Sequence, residues 1–162
     1  SLFESMPDPR LDQSSTVGAI NAYQNFMDYF PESSLREEAQ KRLFILQDNL
    51  VMKEYLSAEL YYNLGGYFGN INSNTESNYE SCIITAQNAL KTYPYTTMRE
   101  KFSLLIMKSK FELAQNSSEE KRVERYRDAE DECYGFLNEF PESENCKTAE
   151  KFIDKCKKIT KD

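Results

Sequence analysis

Apolar residues along the chain recur three and four positions apart, the spacing that lines one side of an α-helix, and strict alternation is absent. Six stripes stand out. They are Ala19, Ile20, Tyr23, Phe26, Met27 and Phe30; Leu35, Ala39, Leu43, Leu46 and Leu50; and Tyr79, Cys82, Ala86, Ala89, Leu90 and Tyr93. Then follow Met98, Phe102, Leu105, Ile106, Ser109 and Leu113; Val123, Tyr126, Ala129, Cys133, Phe136, Leu137 and Phe140; and Ala149, Phe152, Ile153, Cys156 and Ile159. Pro31, Pro94 and Pro141, each after an aromatic residue, close one helix and set up the next, because proline disfavours helix in the residue before it. Four S/T-x-x-E pairs read as capping boxes at helix starts: Ser34 with Glu37, Ser73 with Glu76, Thr97 with Glu100, and Ser117 with Glu120. The pattern predicts an all-α chain of about six helices. Residues 34–64 hold neither Gly nor Pro, and read as one long helix or as two broken near Asp48 and Asn49.

Aligning the three prolines exposes a repeat. Twelve residues before them stand Ala19, Cys82 and Ala129; eight before, Tyr23, Ala86 and Cys133; five before, Phe26, Ala89 and Phe136; eight after, Ala39, Phe102 and Ala149. Small residues let two antiparallel helices approach, and larger ones fill the space to the next pair. This is the second-helix pattern of a tetratricopeptide repeat (TPR), and Ala58, Tyr61, Tyr62, Leu64, Gly65 and Tyr67 resemble its first-helix L-G-x-x-Y core. Helical hairpins stacked as an α-solenoid are therefore expected. The prolines are 63 and 47 residues apart, so the repeats are irregular. The expected organisation is a single TPR-like domain over 1–162. Residues 14–30 form the second helix of a truncated repeat. A repeat with a long first helix and an inserted loop at 69–77 covers 34–93; one with a charged insertion at 115–125 covers 97–140; and 143–160 form a C-terminal capping helix.

Composition narrows the function. The 162 residues contain no His, which removes the usual general base and the commonest metal ligand. No catalytic, cofactor-binding or metal site is expected, and Asp128 with Glu132, one helical turn apart, do not make one. A net charge of −7 argues against nucleic acid as a partner. No apolar run reaches the length of a membrane span, and SLFESMPDPR is not a signal peptide. Cys82, Cys133, Cys146 and Cys156 form no C-x-x-C pair and read as small buried thiols, with contact between Cys133 and Cys156 left open. The 11 Tyr and 10 Phe are assigned mostly to the core.

Near the C-terminus an acidic run, Asp128 to Glu144, precedes Lys147, Lys151, Lys155, Lys157, Lys158 and Lys161. Two readings stand. One is a partner-facing acidic patch beside a basic end able to approach anionic head groups; the other is a solvated capping helix.

The order of motifs carries a family resemblance. AINAYQNFMDYFPESSLREEAQKRLFILQDNLVMKEYLSAELYYNLGGY, followed by AQNALKTYP, is similar to the BamD (YfiO-like) lipoproteins of the bacterial outer-membrane β-barrel assembly machine. The shared order is A-x-x-x-x-x-x-F-x-x-x-F/YP, an Arg- and Leu-rich helix, KE, A-x-x-YY-x-x-G-x-Y and a second YP. The resemblance implies a non-enzymatic scaffold on the periplasmic face of the outer membrane, held there only by a lipidated N-terminal Cys outside this sequence. Its implied partners are the periplasmic domains of the barrel insertase, other assembly-machine lipoproteins, and unfolded outer-membrane proteins through earlier repeats. Arg99 falls where the family places an Arg after the second YP, and with Glu100 and Lys101 is the expected partner-binding site. The alternative is a peptide-binding TPR adaptor of another envelope or chaperone complex, gripping a C-terminal carboxylate with Lys53, Lys108, Lys110, Asn49 and Asn63.

Overall fold

The structure, a computed structural model, describes residues 6–67 and 74–161. Six helices run α1 (Ser14–Tyr29), α2 (Arg36–Gly65), α3 (Asn74–Thr92), α4 (Arg99–Gln115), α5 (Glu119–Glu139) and α6 (Cys146–Thr160), with no strand among the described residues. The all-α fold of TPR-like hairpins expected from the periodicity is thus observed. The chain divides into two compact units, Ser1–Leu56 and Ser57–Asp162, described separately below.

In the first unit Ala19 and Ile20 of α1 pack with Leu43 and Leu46 of α2, flanked by Met6, Tyr23, Met27 and Leu50. A polar latch joins the segment before α1 to α2. The buried Gln13 carboxamide donates to the carbonyls of Asp8 (2.8 Å) and Leu11 (3.0 Å) and accepts from the Thr16 hydroxyl (2.8 Å) and from Asn49 Nδ2 (2.6 Å). Asn49 also donates to the Pro7 carbonyl at 3.0 Å, and Lys53 Nζ to the Leu11 carbonyl at 3.3 Å. Because Asn49 spends its side chain on this segment rather than on its own backbone, it does not interrupt the helix. That settles the open choice at 34–64: α2 is one helix of 30 residues, about 45 Å long.

In the second unit Met107, Cys133, Phe136, Ala149 and Ile153 form one cluster, and Phe111, Ala114, Tyr126, Ala129 and Cys156 another. Phe111 stacks on Phe152, ring centroids 4.0 Å apart and nearly parallel. Gly65 ends α2 against the buried ring of Tyr79: a Cβ there would lie 2.7 Å from a ring carbon, so only glycine admits this approach. Two cations clamp helices together. Lys110 of α4 reaches Asp128 (3.0 Å) and Glu132 (2.7 Å) of α5, which explains that carboxylate pair as structural. Arg125 of α5 pairs with Glu76 and Glu80 of α3. Burial pushes the thiols of Cys133 and Cys156 up, to about 12 and about 11. All four cysteines are free, so the possible contact of Cys133 with Cys156 makes no disulfide.

The repeat alignment holds at the level of single positions. Ala19, Cys82 and Ala129 are buried, as are Ala39, Phe102 and Ala149. The three turns are also the same object. The N–H groups of Phe30, Tyr93 and Phe140 close the preceding helices on Phe26, Ala89 and Phe136. The residue two after each proline, Ser33, Thr96 or Ser143, donates its N–H to that aromatic carbonyl and accepts from the backbone N–H two residues on through its hydroxyl.

Four expectations need correction. The hydroxyls that set the turns are those of Ser33 and Thr96, one position before the capping residues read from the sequence, Ser34 and Thr97. Ser117 does not cap α5: its hydroxyl donates to the Leu113 carbonyl and accepts from Arg125, and Ser118 is the boundary residue. Ser73 lies outside the described residues, as do 68–73 of the expected 69–77 loop. Of the charged stretch 115–125, only Asn116–Ser118 connects helices, the rest being the first turns of α5. Leu35 and Val123 are exposed, as are Tyr29, Phe30, Phe44, Tyr61, Tyr67, Tyr95 and Tyr134, so among the described residues these seven aromatic side chains lie outside the core.

Candidate partner-docking surface

Arg99, Glu100 and Lys101 form the first turn of α4, directly after the α3–α4 turn. The turn's hydrogen bonds, Thr96 N–H to the Tyr93 carbonyl (3.1 Å) and Arg99 N–H to the Thr96 carbonyl (3.4 Å), fix where Arg99 leaves the backbone. Its guanidinium pairs with Glu139, the last residue of α5, and both side chains remain about two-fifths exposed. Each charge opposes its own helix, since a cation is unfavourable at a helix N-terminus and an anion at a C-terminus. The pair offsets that penalty, and exposed pairs of this kind contribute only about 0–1 kcal/mol. Intramolecular stability therefore gives little reason for the arrangement.

Glu100 accepts from the Ser143 hydroxyl, tying this turn to the α5–α6 turn. Lys101 is exposed. Sequence reasoning did not foresee Glu139 as the partner of Arg99, nor the exposure of Tyr95 in the preceding turn. Glu139 lies 40 residues from Arg99, beyond local pattern. Tyr95 carried a readable signal. The residue after the turn proline is Glu32 in the first turn and Glu142 in the third, whereas the middle turn has Tyr95, whose side chain is 98% exposed. The same alignment puts Arg36 where Arg99 stands, so an Arg there is partly a repeat feature.

Three of the five residues expected to line a carboxylate-gripping groove are otherwise occupied. Asn49 and Lys53 hold the segment before α1. Lys110 is bound to Asp128 and Glu132: burial alone would lower its pKa, but the two carboxylates outweigh that and raise it. Lys108 is half-buried, and Asn63 is exposed. No group of three or more Cys, Asp or Glu among the described residues is arranged to hold a metal ion.

Paired helices closed by aromatic-Pro turns define a helical-hairpin repeat protein of the tetratricopeptide type. More particularly, a family model described as YfiO, outer membrane lipoprotein, matches residues 1–76. Over residues 1–76, a little under half of the chain, it is thus BamD/YfiO-like, which supports the outer-membrane association of that family, and the α3–α4 turn falls outside the matched residues. No curated protein matches the chain. Among the described residues no helix is long and apolar enough to cross a membrane.

Proposed function

We propose that this chain is a non-enzymatic scaffold subunit of the outer-membrane β-barrel assembly machine, bound to the periplasmic domains of the barrel insertase through the α3–α4 turn. The family match carries the first half of this reading. The second half rests on Arg99 and Glu139, half-exposed charges placed against their own helix dipoles beside an exposed aromatic residue. Tyr and Arg are the side chains most often found at the energetic centre of an interface. On binding, an insertase carboxylate replaces or joins Glu139 on the Arg99 fork, a charge-assisted contact of about 1.5–3 kcal/mol. Contacts with other assembly-machine lipoproteins, and attachment through a lipidated Cys, belong to the same reading.

A pull-down with the recombinant periplasmic domains of the insertase tests it, comparing wild type, Arg99→Glu and the repeat-equivalent Arg36→Glu. Loss of at least tenfold in affinity for Arg99→Glu alone is expected, with unchanged melting. Equal loss in both variants would reduce Arg99 to a repeat feature, and no binding by wild type would remove the insertase as partner.

A further inference from the structure

Helix α6 carries a charge pattern that its fold does not require. Its buried face is Ala149, Ile153 and Cys156. At 100° per residue, Lys147, Lys151, Lys158 and Lys161 fall within an arc of about 80° on the opposite face, where Asp154 also falls and Glu150 stands at the edge, and the four lysines span about 21 Å along the axis. All four are exposed, and none is paired with a carboxylate among the described residues. The two other lysines turn inward to aromatic rings: Lys155 Nζ lies 5.5 Å from the centre of Phe111, and Lys157 Nζ 5.7 Å from that of Tyr134.

The helix dipole accounts for Lys158 and Lys161 near the C-terminus but not for Lys147, which sits in a first turn holding no acid, where a cation is disfavoured. The solubility of a terminal helix does not account for the row either, since any polar residues would serve. Six lysines against Glu150, Asp154 and Asp162 make α6 and its end positive in a chain whose net charge is −7.

We infer that this lysine face lies against the anionic phospholipid surface of the membrane, a contact additional to any lipid anchor. The inference rests on the outer-membrane location and not on the insertase reading. An exposed face with four lysines to the one carboxylate of Asp154 within it, and no large apolar side chain between them, suits a plane of phosphates rather than a pocket, and it attracts without inserting. Basic groups near an anionic leaflet each contribute to binding, and the attraction decays within a Debye length of about 8–10 Å. The acidic surface of the rest of the chain is repelled by the same field, so α6 is the side that turns toward the lipid.

Co-sedimentation of the purified chain with phosphatidylcholine vesicles containing about one-third phosphatidylglycerol, at about 25 mM salt, tests the assignment. The wild type is expected to bind, to release at about 300 mM salt, and to ignore pure phosphatidylcholine vesicles. Reversing Lys147, Lys151, Lys158 and Lys161 to Glu should lower partitioning by about tenfold or more. The corresponding Lys→Gln variant, whose helicity is checked by circular dichroism, gives an intermediate loss and decides the matter if the Glu variant unfolds. No wild-type binding at low salt, or binding that neither variant changes, would overturn the inference. Unchanged vesicle binding with lost insertase binding would instead give the face to an acidic protein segment.

Discussion

Gly65→Ala is a small change with a sign that the structure decides. On helix propensity alone, alanine gains up to about 1 kcal/mol over glycine. At Gly65 the new methyl carbon would stand 2.7, 2.8 and 2.9 Å from three atoms of the Tyr79 ring. That ring is buried and packed edge-on against Tyr62 at 5.8 Å, so it has no open side to move into. Forcing an extra carbon into a filled site costs about 1–3 kcal/mol. Strain therefore wins, and a net loss of about 1–2 kcal/mol is expected. Thermal melting by circular dichroism should show a fall of about 2–8 °C. Gly135→Ala is the matched control: it lies inside α5, is exposed, and a Cβ there meets nothing within 4 Å. It should stabilise, by up to about 1 kcal/mol. The Gly65→Ala, Tyr79→Leu double variant should be less destabilised than the sum of the single changes. A neutral or stabilising Gly65→Ala, or additivity in that cycle, would refute the close approach of α2 and α3.

Two further outcomes follow from the buried charges and thiols. Lys110→Met should destabilise by about 1–3 kcal/mol in denaturant melts, between the values for exposed and buried pairs, because it strands Glu132 and Asp128. The raised pKa of Lys110 gives its contribution a sign: it is fully present below the unfolded value of 10.5 and is lost as pH rises through the folded one, a dependence that Lys110→Met should abolish. In native protein a thiol reagent should modify Cys146 rapidly and the buried Cys82, Cys133 and Cys156 only at the rate of unfolding. Four fast equivalents, counted by absorbance, would contradict the packing.

The fold was legible because proline marks and small residues act locally. The position twelve before each proline holds Ala, Cys or Ala, and all three are buried as a close helix approach demands. The capping residues were misplaced because Ser33 and Ser34, like Thr96 and Thr97, stand side by side and either offers a hydroxyl. The third turn has only Ser143 followed by Glu144, so alignment of all three turns singles out the earlier position. Arg99 was legible as a family position, whereas Glu139 was not, since a pairing 40 residues away is made by helix packing. Asn49 failed for the same reason: its partners, Pro7 and Gln13, are joined to it only once α1 has folded back on α2.

The packing of the cysteines has a consequence for the order of events in the life of this chain. The periplasmic face of the outer membrane belongs to a compartment where an oxidase system converts exposed thiols into disulfides. Burial pushes the Cys133 thiol up to about 12, well above a free cysteine, and it is the thiolate that reacts. Cys133 is therefore inert once enclosed and vulnerable before.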